Sequence, residues 1–308
     1  KALHMNRQIH RANPMLELAA TRLRVTGDEW TARRMDILRV EGLTEAGATQ
    51  VPDLIDRLAR MKNEASAAMD WEAVALSLDA ELHLRHKQGD VPGIRTVLEE
   101  MEVVAGSGSH EAACLSSAGL GLANLFRDTA DGVASGERAV EIARAHGLAS
   151  LLLRAQCRLL AVLAFSGRLY LPTSQRLIGV ARDAAERSGD RFLRSTIEAN
   201  VAVFQLDVGD FDQAEESLAR VAALLSGTDL QHQLMIHQAN LGELALLQGD
   251  YASAETSFRG LGDALSSDPF AEGTNAMHAG LGLCAVEQGR LSEARRFEEQ
   301  LETPAYWY

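Results

Sequence analysis

Apolar and polar positions follow one another along this chain with the spacing of amphipathic helices. Between Phe211 and Leu225, apolar side chains recur at steps of three and four, at Ala214, Leu218 and Val221. This spacing places them on one helix face, which has to be buried against another helix. Similar stretches fill most of the sequence, so the pattern predicts an all-α protein.

Turns centred on glycine interrupt the helical stretches at a period close to 40 residues. One series carries pairs such as Gly89-Asp90, Gly209-Asp210 and Gly249-Asp250, and a second series falls midway between them. Glycine accepts the left-handed conformation that ends a helix, and aspartate caps the next helix by accepting backbone N–H bonds. Each unit is therefore predicted to be a helical hairpin. Because one hairpin cannot bury its apolar face alone, the hairpins should stack into a right-handed superhelical solenoid.

The turns divide the chain into an N-terminal segment with a leading helix (1–27), seven hairpins (28–303) and a C-terminal tail (304–308). The leading helix is predicted at 14–25. The first helix of each hairpin should line the inner surface, and these helices are predicted at 28–47, 71–88, 109–127, 148–166, 190–208, 229–248 and 269–288. The second helices are predicted at 51–69, 91–105, 130–146, 170–188, 211–225, 251–266 and 291–303. Aromatic residues of the tail, Tyr306 to Tyr308, are expected to cover the last hairpin.

Charge and cysteine content exclude several classes of protein. The 308 residues include 43 acidic and 30 basic ones, for a net charge of −13. Direct contact with nucleic acid is not expected, because neutralising phosphates needs an excess of Lys and Arg. No apolar stretch is long enough to span a membrane. The three cysteines are isolated and form neither a zinc motif nor a disulfide framework, so a cytoplasmic protein is predicted.

The segment 237–255 resembles a tetratricopeptide (TPR) unit. It holds Asn240-Leu241-Gly242 in the first helix, the turn Gly249-Asp250-Tyr251, and the small Ala254 in the second helix. The period near 40 residues is longer than in ordinary TPR units and is similar to that of the sensor domains of MalT-type, LuxR-family ATP-binding regulators. This resemblance implies a regulatory module of a larger bacterial signalling or transcription-regulatory protein, with a peptide, a protein or a small inducer as its ligand.

Motifs for catalysis, cofactors or metals are weak. Gly119-Leu120-Gly121 lacks the third glycine of a dinucleotide loop, and close helix packing explains it better. His83 and His86, with Asp79 one turn earlier, have a spacing that a metal could use, but packing or surface roles are the stronger interpretation. No enzymatic activity, cofactor or metal is therefore predicted.

The inner surface offers better candidates for ligand contact. Asn200 and Asn240 stand at the same distance from the turn glycine in adjacent units, Arg158 takes that position one unit earlier, and Arg154 lies one turn before it. An asparagine amide both donates and accepts hydrogen bonds. The TPR resemblance implies that an asparagine here contacts the backbone or terminal carboxylate of an extended ligand. The alternative is that Asn240 bonds a neighbouring helix.

Three acidic residues, Asp207, Glu243 and Glu287, are predicted to project toward the same groove. They would favour a ligand that is basic at one end, while Arg154 and Arg158 would hold an acidic group at the other. Two other functions stay open at this stage. One is a non-catalytic assembly scaffold, and the other is the regulatory region of a larger signalling ATPase or nucleotide cyclase.

Overall fold

The structure is a computed structural model that describes residues 9–45, 51–124, 129–266 and 271–301. These ranges contain fifteen α-helices and no strand. In chain order the helices are α1 (Ile9–Val25), α2 (Glu29–Glu45), α3 (Val51–Ala67), α4 (Trp71–Gln88), α5 (Val91–Ala105), α6 (His110–Asn124), α7 (Thr129–Ala145), α8 (Ala149–Phe165), α9 (Pro172–Ser188), α10 (Arg191–Asp207), α11 (Phe211–Leu225), α12 (Gln231–Leu247), α13 (Tyr251–Leu265), α14 (Ala271–Glu287) and α15 (Leu291–Glu298).

The helices pack as a right-handed superhelical solenoid of TPR-like hairpins, which confirms the predicted fold class. Each even-numbered helix from α2 onward contacts the odd-numbered helix that follows it and also the next even-numbered helix. In addition, α2 contacts α12, and α4 contacts α14, although several units separate them in sequence. Only helices on the concave side of a curved array can meet in this way. The even-numbered helices are therefore the inner layer.

The turn chemistry follows the sequence prediction. Gly89 ends α4 with φ of 69°, and the Asp90 carboxylate caps α5 by accepting from the backbone N–H of Gly93 at 3.0 Å. Asp210 and Asp250 cap α11 and α13 in the same manner. These caps fix where each outer helix begins and hence how it packs on its inner helix.

The chain departs from the predicted helices at both ends. The leading helix begins at Ile9, not at residue 14, with Pro14 inside it. Pro14 is the sixth residue of α1 and removes one backbone hydrogen bond from its second turn. The helix extends back to Ile9 despite this loss. The final helix ends at Glu298, not at 303, and none of its side chains is fully buried, so little packing extends it. The aromatic tail lies outside the described residues.

Glycines allow close helix packing at two points. Phe258 of α13 lies against Gly242 of α12 and Gly280 of α14, where an added Cβ at Gly280 would come within 2.3 Å of the ring. Gly121 of α6 approaches the backbone of Gly132 and Gly136 of α7 at 3.0–3.2 Å from its ideal Cβ position. This confirms the interpretation of the Gly119 to Gly121 segment as a packing feature.

Candidate functional site

The concave surface can be traced by counting back from the glycine that ends each inner helix. Arg158 lies nine residues before Gly167, and its side chain reaches Asp79 on α4, two units away. His83 lies six residues before Gly89 and contacts His232 on α12 across the array. Positions six and nine before the glycine therefore point into the concavity, and equivalent positions of the other units share this orientation.

Arg154 and Arg158 are already paired within the protein. The Arg158 guanidinium donates to the Asp79 carboxylate at 2.7 Å, and Arg154 pairs with Glu41 of α2 and lies 3.6 Å from Asp79. Asp79 is only 4% exposed. Burial raises its pKa, but Arg158 and Arg154 outweigh this effect, so the pKa lies below its ordinary value. We call Glu41, Asp79, His83, Arg154 and Arg158 the inner ion cluster.

His83 links this cluster to the C-terminal half of the array. Its ring meets the His232 ring edge to face, with the centroids 5.4 Å apart. Burial lowers the pKa of His83 to about 4, although the Asp79 charge opposes the shift. Burial also lowers the pKa of His232, and His83 and Lys87 add to that effect. Both rings are therefore neutral near neutral pH.

The geometry does not support the alternative of a metal site at His83, His86 and Asp79. Asp79 is held by two arginines, and His83 contacts His232. Across the described ranges, no group of three or more His, Cys, Asp or Glu side chains is arranged to hold a metal ion.

Asn200 and Asn240 hold equivalent positions on the neighbouring inner helices α10 and α12, each nine residues before its turn glycine. Asn240 is 7% exposed, and Asn200 is partly buried. In both side chains the amide nitrogen is buried and has no hydrogen-bond acceptor within the described part of the chain. The alternative that the Asn240 amide nitrogen donates to a neighbouring helix therefore finds no support. A buried donor left unsatisfied costs about 1–3 kcal/mol.

The three acidic candidates have different surroundings. Glu243 is partly buried on α12, and Asp207 is exposed near the end of α10. Burial raises the pKa of both, and the charge of Asp207 raises that of Glu243 further. The two negative charges therefore repel one another. Glu287 lies apart from them on α14, where it accepts a long 3.5 Å hydrogen bond from the Tyr251 hydroxyl.

Sequence reasoning missed the protein partners of the two arginines. Glu41 lies 113 residues before Arg154, and Asp79 lies 79 residues before Arg158. His232 was also missed, since only the curvature of the array brings it to His83. One sequence signal pointed to Asp79. Arg158 occupies an inner position, and Asp79 lies on the inner helix α4 and carries the opposite charge.

Comparison with known proteins supports the fold. No protein-family model matches the chain, and no curated protein matches it in sequence. Among solved structures, it is similar to a Rap protein complexed with Competence and Sporulation Factor, with a TM-score of 0.66 and 14% identity, over 91% of this chain and 78% of the other. It is also similar to NprR in complex with its cognate peptide NprX, with a TM-score of 0.58 and 15% identity, over 83% of this chain and 77% of the other.

No helix in the described ranges is both long and apolar enough to cross a membrane.

Proposed function

We propose that this chain is a non-catalytic regulatory module that binds a peptide or a peptide segment of a protein along its concave surface. The observation that carries the proposal is the pair of amide nitrogens of Asn200 and Asn240. Both are buried at the same position of adjacent inner helices, and neither has an acceptor among the described residues. Main-chain carbonyls of an extended peptide repeat at a regular spacing and can accept from both amides. Each such bond would relieve a cost of about 1–3 kcal/mol.

Two further observations support this function over an assembly scaffold. Similar solved structures hold a cognate peptide in one case and Competence and Sporulation Factor in the other. A scaffold also has no need of unsatisfied donors on its inner surface. We place the chain in a larger bacterial signalling or transcription-regulatory protein, as the resemblance to MalT-type sensors implies. A cytoplasmic location fits its three free cysteines, Cys114, Cys157 and Cys284.

A display selection of random short peptides on the purified chain tests the function. Selected peptides are then measured by fluorescence polarisation on the wild type, on the double variant Asn200→Ala/Asn240→Ala and on the control Asn63→Ala, which changes an exposed asparagine of the outer helix α3. The double variant should lose at least about tenfold in affinity, because two hydrogen bonds are removed, and the control should not. Equal affinities for all three proteins would refute the proposal.

A further inference from the structure

Asp207 and Glu243 are two carboxylates on neighbouring inner helices that have no cationic partner among the residues that the structure describes. Asp207 lies two residues and Glu243 six residues before the turn glycine of their units, which are the positions of Lys87 and His83 in α4. His83 faces His232 across the concavity. By this equivalence Glu243 faces inward on α12. Asp207 lies two helical turns after Asn200, which holds the inner position nine residues before its glycine, and so shares that face of the neighbouring helix α10.

Two other carboxylates of the array show how a cation compensates a buried charge. Glu198 pairs with Arg182 and Arg220 at 2.7 and 3.0 Å, and Glu81 pairs with Arg85 at 2.7 Å. Neither Asp207 nor Glu243 makes an ion pair or a side-chain hydrogen bond with any residue that the structure describes. Burial and mutual repulsion both raise the pKa of Glu243, as expected for a carboxylate that has lost water without gaining a cation.

A second, independent feature at the same place points to a ligand. Asn240 lies three residues before Glu243 on one face of α12 and is more than nine-tenths buried. Its amide nitrogen has no acceptor in the part of the chain that the structure describes. Asn200 lies seven residues, or two helical turns, before Asp207 on α10 and has the same deficiency. Two amide donors without an acceptor and two carboxylates without a cation, among the described residues, thus lie on the same two inner helices, α10 and α12.

We propose that Asp207 and Glu243 form a subsite for a cationic group of the bound peptide, supplied by an Arg or Lys side chain or by a free amino terminus. In this arrangement the asparagines hold the peptide backbone, and the carboxylates accept charge-assisted hydrogen bonds from the cation. The inference rests on the proposed function. It also changes the charge expected of the ligand. Arg154 and Arg158 are neutralised by Glu41 and Asp79, so an acidic group on the ligand is no longer expected, whereas a basic group still is.

The same display selection tests this subsite when each library is prepared with free and with acetylated amino termini. It is run on the wild type, on Asp207→Asn/Glu243→Gln, and on a control with the same charge, Asp183→Asn/Glu215→Gln, which changes two exposed outer carboxylates. The wild type and the control should enrich either Arg or Lys at one position or free amino termini, which identifies the source of the cation. The double variant should lose this enrichment and bind the selected basic peptides at least about tenfold more weakly.

The outcomes separate the two proposals. Peptides that bind through the asparagines but show no preference for a basic group would overturn the subsite alone, as would a preference that persists in the double variant. Recovery of no peptide by the wild type would overturn the proposed function and the subsite with it. Thermal unfolding gives a second measure: removing two repelling carboxylates should leave the melting temperature unchanged or raise it. A fall would show that the carboxylates have protein partners and would overturn the subsite.

Discussion

Acid should destabilise this fold through the contact between His83 and His232. The pKa of His83 lies at about 4 in the folded protein, against 6.5 for an ordinary histidine. Between these values the unfolded chain binds more protons than the folded one, so stability falls as the pH drops. The contribution of His83 is fully present above about pH 6.5 and is lost progressively down to about pH 4.

The size of this loss follows from the two pKa values. At about pH 5.5, the linkage relation gives a loss of about 1.4 kcal/mol for His83 alone, relative to about pH 8. His232, whose pKa is also lowered, adds a loss of the same sign. Asp79 and Glu41 favour the protonated form of His83, whereas Arg158 and Lys87 oppose it. The pKa of about 4 already reflects these four charges as well as burial.

Urea unfolding at a series of pH values, followed by circular dichroism, measures the effect. The variant His83→Gln should lose less stability than the wild type between about pH 8 and pH 5.5, by about 1 kcal/mol or more. The control Gln213→Ala changes an exposed residue that has no titratable group and should follow the wild type. If His83→Gln and the wild type lose the same stability over this range, His83 is not held neutral by the fold and the reasoning fails.

Three further predictions concern packing and buried charge. Asp79→Asn should lower the free energy of unfolding by about 3 kcal/mol in urea titrations, because it leaves Arg154 and Arg158 without their buried carboxylate; a loss below about 1 kcal/mol would contradict this. Gly280→Ala should cost about 1–3 kcal/mol because its methyl group meets Phe258, whereas Gly179→Ala, with no atom within 4 Å, should be neutral or stabilising, and the reverse order would show that Phe258 moves aside. Cys157 should resist iodoacetamide at about pH 8 until the protein unfolds, because burial raises its pKa to about 12; rapid labelling of the native protein, read by mass spectrometry, would be inconsistent with this burial.

Local chemistry explains why the helices could be predicted so closely. A pair such as Gly89-Asp90 ends one helix and caps the next through groups that are adjacent in sequence. Stacking then follows, because each hairpin has one apolar face to bury. The ends of the array were harder to predict. Pro14 suggested a helix start, but the loss of one hydrogen bond near the helix terminus did not stop α1 from beginning at Ile9.

The pairing of charges on the concave surface depends on curvature, which no local pattern encodes. The repeat period puts Asn200 and Asn240 at equivalent positions of adjacent inner helices. Whether Arg154 faces a ligand or Glu41 depends on how far the array bends over more than one hundred residues, and small rotations between successive hairpins add up over that distance. The sequence therefore identified inner positions, while only the assembled structure could show which of them were already satisfied.

The distribution of satisfied and unsatisfied groups divides the concave surface into two parts with different roles. The charges of the inner ion cluster on α2, α4 and α8 are paired within the protein. These pairs join distant units and so stabilise the curvature of the array. The two amides and the two carboxylates on α10 and α12 would form hydrogen bonds and ion pairs only when a ligand binds. His232, near the start of α12, contacts the cluster through His83. A ligand that moves α12 relative to α4 would therefore also change the contact between His83 and His232. Such a ligand can shift the curvature of the array only by the difference between its binding free energies for the original and the changed arrangement of these helices.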